Sequence, residues 1–130
     1  MTDEEGRQRA SQIARRFGNL RCEDCIREII KSLGREFPAT IERLHTSDES
    51  DVIALSSNEE VISVAGAHLG IGIGGVIIDN HHPDGVPDGQ WPEKFKAVTR
   101  APLMRTSAPT SQFFSRIFLA KKFRHWSSRT

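Results

Sequence analysis

The sequence predicts an α+β domain, with helices first and a small antiparallel sheet after them. Three observations support this class. Apolar residues recur at spacings of three and four before Pro38, short β-type runs follow it, and Gly74-Gly75 separates two apolar runs as a two-residue hairpin turn. A chain of 130 residues is long enough to fold as one domain without a disulfide or a metal.

The first helix is expected to begin near the N-terminus. Thr2 or Asp3 can cap it, because a short polar side chain accepts a hydrogen bond from a free backbone N–H of the first turn. We expect this helix to run to about Phe17, with Gly18 in the left-handed position that ends many helices.

A second, amphipathic helix is expected to follow, capped by Asn19 and ended by Gly34. Its spacing of three and four residues places one set of apolar side chains on a single face, which we expect to be buried. That face consists of Cys22, Cys25, Ile26, Ile29, Ile30 and Leu33.

Beyond Pro38 the pattern changes to short runs typical of strands. The predicted strands are about Ile41 to His45, Val52 to Leu55, Val61 to Val64, Leu69 to Ile73 and Val76 to Asn80.

The chain after the predicted Gly74-Gly75 hairpin is expected to be largely irregular. Residues 81–90 hold two prolines and two glycines and are predicted to form a long turn. Pro92 at a tolerated first position predicts a short helix over about 91–98, and residues 100–110 resemble a linker. A last helix with a phenylalanine-rich stripe would begin at Thr110 or Ser111. This organisation divides the chain into a domain over 1–100 and a basic linker and helix over 101–130.

Charge is distributed unevenly between the two ends of the chain. Residues 1–99 hold all 17 acidic side chains and only 11 basic ones, whereas residues 100–130 hold seven basic side chains and no acidic one. The basic last helix would either complete the core, bind the acidic body of its own domain, or dock on an acidic protein, nucleic acid or membrane surface. Nucleic acid is not expected, because the body is acidic and aromatic and basic residues do not alternate around the candidate site.

No apolar stretch approaches the roughly 20 residues that a membrane span needs. The polar start Met1-Thr2-Asp3-Glu4-Glu5 does not resemble a signal peptide. Export is therefore expected to use another route, such as carriage within a longer polypeptide. Both cysteines are expected to be thiols, because a pair three residues apart does not form a disulfide framework.

Cys22 is the favoured candidate for a catalytic nucleophile. A reactive thiol needs a helix N-terminus, an imidazolium or both to stabilise its thiolate, and Cys22 lies in the first turn of the predicted helix, beside Arg21. Cys25 lies one turn deeper on the apolar face, so it is the alternative nucleophile and is better interpreted as a small buried residue.

The predicted hairpin supplies the other two groups of such a site. A turn at Gly74-Gly75 would pair Gly70 with Asp79 and place His68 and Asp79 on one face. His68 is thus the candidate base and Asp79 the first choice to orient it. Asn80 is the alternative, because a bulge or twist at a strand end would turn its amide to the same side.

The same residues also allow other assignments. Asn19 and the backbone N–H of Cys22 are candidates for an oxyanion hole. A zinc site would draw on Cys22, Cys25, His68, His81 and His82, although Cys-x-x-Cys zinc ligands usually lie on a knuckle rather than in a helix. A thioredoxin-like redox role is weaker, because no strand precedes the Cys-x-x-Cys helix. No cofactor is expected.

From Phe17 to Trp91 the chain resembles the papain fold toxin 2 family of bacterial polymorphic toxins. The resemblance is carried by three segments in the family's order, followed by Trp91. They are Phe17 with Cys22-Glu23-Asp24-Cys25, then Ile62-Ser63 with Gly66-Ala67-His68-Leu69-Gly70-Ile71, then Asp79-Asn80-His81-His82-Pro83-Asp84-Gly85. Ile26 departs from the family, in which a small residue commonly follows the second cysteine.

The resemblance implies a papain-like fold and a toxin domain carried at the C-terminal end of a larger secreted polypeptide. It implies a cysteine protease or glutamine deamidase that acts on a protein in the target-cell cytoplasm. Cys22 would be the nucleophile, His68 the base and Asp79 or Asn80 the orienting residue. A cognate immunity protein would neutralise the toxin in the producing cell. The alternative is a non-catalytic binding module that uses the basic C-terminal helix.

Overall fold

A computed structural model describes residues 1–114 and confirms the α+β class. Two helices, α1 (Asp3–Ala14) and α2 (Cys22–Leu33), precede the strands. The strands are β1 (Thr40–His45), β2 (Ile53–Leu55), β3 (Val61–Ser63), β4 (Ala67–Ile73), β5 (Val76–Asp79), β6 (His82–Pro87), β7 (Phe95–Ala97) and β8 (Met104–Pro109). Short 3-10 helices cover Asp88–Gln90, Pro92–Lys94 and Thr110–Phe114.

The strands form two antiparallel sheets. The larger sheet has the order β6-β5-β4-β1-β8, and the smaller has the order β3-β2-β7. Helices α1 and α2 pack on one face of the larger sheet through a core that includes Ile26, Ile29 and Ile71. A second core, around Trp91 and Phe95, joins the other face to the smaller sheet. The larger sheet is therefore the middle layer, and β4 lies at its centre.

Helix α1 begins as predicted but ends earlier. The Thr2 hydroxyl accepts from the Glu5 backbone N–H and the Glu5 carboxylate accepts from the Thr2 backbone N–H, which is a capping box. The helix ends at Ala14 rather than near Phe17, and Gly18 does not adopt the predicted left-handed conformation. Leu20, at φ 67°, takes that conformation directly before α2.

Helix α2 ends at Gly34, which has φ 87°, and most of its predicted apolar face is buried. The exception is Cys22, which is only partly buried. Its predicted cap was wrong. Arg21 occupies the N-cap position and makes no capping hydrogen bond with its side chain, while Asn19 lies outside the helix. The amide of Asn19 instead donates to the Val61 carbonyl, because the chain between the helices turns toward β3.

The hairpin is confirmed in both its turn and its register. Ile73 pairs with Val76 and Gly72 with Ile77 across Gly74-Gly75, and both glycines have positive φ. The strand limits differ from the predicted ones by two residues at most, which is the usual uncertainty at strand ends.

The predicted long turn over 81–90 was wrong, because residues 82–87 form strand β6. This strand lies at the edge of the sheet, where proline is tolerated because its missing N–H faces no partner. The predicted helix over 91–98 was also wrong beyond its first turn. Pro92–Lys94 is a single 3-10 turn, and Phe95–Ala97 is strand β7 of the smaller sheet.

The predicted linker over 100–110 contains strand β8, which pairs antiparallel with β1 along its whole length. The last predicted helix starts as the 3-10 helix Thr110–Phe114, and its remainder lies outside the described residues. Within residues 1–114 no helix has the length and apolar character needed to span a membrane.

Candidate active site

Cys22 is the first residue of α2 and is partly exposed. The first backbone N–H groups of an α-helix have no partners within the helix, and the helix dipole favours a negative charge beside them. Arg21 also lies next to the thiol, but its guanidinium pairs with the Asp24 carboxylate at 3.1 Å. The helix terminus is therefore the main local feature that favours a thiolate at Cys22.

Cys25 lies one turn further along α2 and is fully buried. Burial raises the pKa of its thiol to about 12, and the nearby negative charges of Asp79 and Cys22 act in the same direction. At neutral pH Cys25 is a neutral, apolar side chain in the helix–sheet core. Its environment supports the structural interpretation made from the sequence.

His68 and Asp79 form a buried pair on the neighbouring strands β4 and β5. Nε2 of His68 lies 3.1 Å from Oδ2 of Asp79, and both side chains have no exposed surface. The two residues share a face because the Gly74-Gly75 turn sets the register of the hairpin. The structure thus brings together the imidazole and the carboxylate that the sequence pattern paired.

Asp79 accepts further hydrogen bonds that the sequence reasoning missed. Its Oδ1 accepts from the backbone N–H groups of His81 and His82 at 2.8 and 2.7 Å and from Nδ1 of His82 at 3.0 Å. Its Oδ2 accepts from the indole Nε1 of Trp91 at 2.8 Å. A carboxylate with this many donors is held both in position and in its charged form.

Both titratable groups of the pair are shifted toward their charged forms. Burial alone would lower the pKa of His68, but the hydrogen bond to Asp79 and the nearby Cys22 thiol outweigh it and raise the pKa to about 10. Burial alone would raise the pKa of Asp79, but the hydrogen bonds from His68 and His82 hold it below its usual range. At neutral pH the pair is an imidazolium and a carboxylate.

The second ring nitrogen of His68 is available to the thiol. Nδ1 is buried and accepts or donates no hydrogen bond within residues 1–114, while Nε2 is engaged by Asp79. The Cys22 thiol is close enough to the imidazole to contribute to its raised pKa. A loose contact of this kind is common in free enzymes and tightens when substrate binds. The order thiol, imidazole, carboxylate is that of a nucleophilic triad.

The two asparagines proposed from the sequence lie elsewhere. The Asn80 amide donates to the Gly18 carbonyl at 2.9 Å rather than facing His68. The Asn19 amide donates to the Val61 carbonyl at 2.8 Å, and its own oxygen accepts from the Leu20 N–H. Both side chains therefore hold the α1–α2 connection that presents Cys22.

A cleft of about 170 Å³ opens beside Cys22, between the start of α2 and the β3–β4 segment. Two exposed apolar side chains, Leu20 at 57% and Val64 at 62% exposure, line it. The buried Arg43 of β1 also lines it. An extended polypeptide or a single side chain reaching the thiol would contact these residues.

The zinc interpretation finds no support in the geometry. Although the rings of His68 and His81 have centroids 5.9 Å apart, no group of three or more His, Cys, Asp or Glu side chains in the described part of the chain is arranged to hold a metal ion. His82 instead uses Nδ1 to bind Asp79. The histidines after β5 bind the Asp79 carboxylate through the ring of His82 and through both of their backbone N–H groups.

A comparison with models of protein families gives a match to this chain. A family model described as papain fold toxin 2 matches residues 5–96, well over half of the chain. The matched segment contains Cys22, His68 and Asp79 and leaves β8 outside it. Comparisons with curated proteins and with solved structures found no match.

Proposed function

Because the chain belongs to the papain fold toxin 2 family, we propose that it is a toxin domain that acts as a papain-like cysteine hydrolase through Cys22, His68 and Asp79. The observation that carries this proposal is the buried His68–Asp79 pair beside a partly exposed thiol at a helix N-terminus. Membership of this family fits secretion and action on a target cell.

The proposed reaction is acyl transfer through a thioester. The Cys22 thiolate attacks an amide carbonyl carbon and forms a C–S bond, and the C–N bond breaks as His68 gives its proton to the leaving nitrogen. Water then loses a proton to His68 and attacks the thioester, which breaks the C–S bond and restores the thiolate. Asp79 keeps the imidazole in the required tautomer and orientation throughout.

Negative charge on the substrate oxygen needs donors during both attacks. The backbone N–H of Cys22, at the start of α2, is the first candidate. The Asn19 amide is the second, and it would have to leave the Val61 carbonyl to donate to this oxygen. Among the orienting residues we favour Asp79 over Asn80, because Asn80 is bound to Gly18.

The substrate amide distinguishes two reactions with the same steps. If a peptide bond enters the cleft, the leaving group is an amine and the protein is a protease; if a glutamine side chain enters, ammonia leaves and the protein is a deamidase. We propose a target-cell protein as substrate and a cognate immunity protein as the partner that blocks the site. Mass spectrometry of a target-cell extract treated with the domain separates new chain termini from deamidated glutamines.

The deciding experiment is growth of a bacterial host that expresses the domain under tight control in its cytoplasm. Wild type and Cys25→Ala are expected to arrest growth, because Cys25 is a neutral core residue. Cys22→Ala and His68→Ala are expected to relieve the arrest completely, because each removes a group that forms or breaks a bond. Circular dichroism of each purified variant checks the fold. Equal growth with all four folded proteins would refute the thiol mechanism.

A further inference from the structure

Strand β8 brings Arg105 onto the face of the sheet that carries the candidate site. Arg105 is paired with Leu44 of β1, and Leu44 is paired with His68 of β4. Directly paired residues of antiparallel strands point to the same face. Arg105, Leu44 and His68 therefore form one row across three strands, although Arg105 is 37 residues away from His68 in the chain.

The guanidinium of Arg105 is held from two sides. Its Nε donates to Oε1 of Glu42 at 2.9 Å, and its NH1 donates to the Asp88 carbonyl at 3.1 Å. A further ion pair joins it to the Asp88 carboxylate. Charged hydrogen bonds that use several edges of the planar guanidinium fix its orientation as well as its position.

Glu42, the buried anchor of Arg105, is itself fixed. Its side chain is 6% exposed, and Oε2 accepts from the hydroxyls of Thr40 at 2.7 Å and Ser107 at 2.6 Å. The Glu42 carboxylate thus links β1 to β8, and both of its oxygens accept hydrogen bonds. A buried charge with such partners holds one arrangement.

Arg105 lies over the ring of Trp91, with the guanidinium carbon 5.5 Å from the ring centroid. The indole is fully buried and also contacts Gly70 of β4, where an added Cβ would lie 2.9 Å from the indole. The indole Nε1–H donates to the same Asp79 oxygen that binds His68. A continuous set of contacts thus runs from Arg105 through the indole to the His68–Asp79 pair.

We propose that Arg105 is a positioning residue, which holds the Trp91 indole against Asp79 and thereby fixes the orientation of His68. The expected effect of Arg105 on the reactivity of Cys22 rests on the proposed function. Its expected effect on the Trp91 indole does not. Arg105 lies beyond residues 5–96, the segment that matches the family, so it completes the site from outside that segment.

The test compares Arg105→Gln with Ser107→Ala. Ser107 lies on the same strand and bonds the same Glu42, so its variant controls for loosening of β8 without loss of the cation over the indole. Two properties are measured on the full chain. One is hydrogen exchange of the Trp91 indole N–H by NMR, assigned with Trp91→Phe. The other is the rate of Cys22 alkylation by iodoacetamide, mapped by mass spectrometry.

Arg105→Gln is expected to speed hydrogen exchange of the Trp91 indole N–H about tenfold. It is also expected to slow the alkylation of Cys22 at pH 6 by a similar factor. A change of about tenfold corresponds to the energy of a partly buried cation–π contact. Arg105→Lys, which keeps the cation but not the fork, is expected to fall between Arg105→Gln and wild type. Ser107→Ala is expected to have a much smaller effect than Arg105→Gln, because Thr40 still donates to Glu42 and the guanidinium stays over the indole. Unchanged indole exchange in a folded Arg105→Gln protein would overturn the inference, as would equal effects of Arg105→Gln and Ser107→Ala.

Failure of the proposed function would look different. In that case wild type and His68→Ala would show the same rate of Cys22 alkylation at every pH. The exchange of the indole N–H would still report whether Arg105 positions Trp91, because that readout requires no catalysis.

Discussion

Two cysteines in one helix, three residues apart, have different chemical environments. Cys22 is partly exposed at the helix terminus, whereas Cys25 is fully buried and its pKa is raised to about 12. The same contrast separates Asp79, which binds His68, from the adjacent Asn80, which binds a loop carbonyl. At the residue scale, a single position along a strand or one turn of a helix decides which side chain can take part in chemistry.

The raised pKa of His68 predicts a specific dependence of stability on pH. Below about pH 6.5 the imidazole is protonated in both folded and unfolded chains, so its stabilising contribution is fully present. Between about pH 6.5 and about 10 only the folded chain keeps the proton, so stability falls as pH rises. The slope is at most about 1.4 kcal/mol per pH unit.

The measurement is urea unfolding of wild type and His68→Gln across this pH range. Glutamine at position 68 does not titrate, so the difference between the two proteins reports chiefly on the proton of His68. The advantage of wild type over the variant is expected to shrink steadily above about pH 6.5. A difference that stays constant up to pH 10 would contradict a protonated His68 in the folded protein.

At the scale of elements, the β4–β5 hairpin places the imidazole and the carboxylate, and its glycines make room for the neighbouring layer. Gly70 lies beneath Trp91 and Ile77, and an added Cβ there would meet Ile77 at 2.7 Å and the indole at 2.9 Å. The absence of a side chain at this position is what lets the indole reach Asp79.

Gly70→Ala is therefore expected to destabilise the fold by about 1–3 kcal/mol, the usual cost of overpacking a core. It should also weaken the bond between Trp91 and Asp79, because the indole must shift. Gly89→Ala is the matched control, since nothing lies within 4 Å of the added Cβ. Urea unfolding midpoints compare the two variants, and equal midpoints would show that the indole does not need this space.

At the scale of the whole molecule, the two sheets and the helix layer converge on one site. Helix α2 supplies the thiol, β4 and β5 supply the imidazole and carboxylate, and the segment leading to the smaller sheet supplies Trp91. Strand β8 closes the larger sheet beside β1. The site thus depends on chain segments that extend well past the hairpin.

A chain that ends at Thr99 is expected to lose cooperative unfolding. It lacks β8, which covers the edge of β1, and it lacks Phe113, which is buried in the helix–sheet core. Without β8, strand β1 becomes an uncovered edge of the sheet, which favours association with other chains. Thermal unfolding followed by circular dichroism compares it with the full chain, and an unchanged transition would show that residues 1–99 form the complete domain.

The sequence by itself determined the features that depend on local periodicity and turn chemistry. The apolar face of α2 follows from a spacing of three and four residues, and the pairing of His68 with Asp79 follows from a two-glycine turn and the alternation of a strand. These features involve residues close together in the chain, so a short window of sequence contains the whole interaction.

Only the tertiary structure decided the features that depend on distant partners. Strands β6 and β8 lie at the edges of the larger sheet and are held by backbone hydrogen bonds, which almost any residue can make and which leave a weak side-chain pattern. The contacts of Trp91 with Asp79 and Arg105 join residues that the chain separates and the sheet register brings together. Packing between the layers decides which residues become such partners. Burial is favourable for whichever side chains the completed fold places in contact, so the local sequence does not identify them.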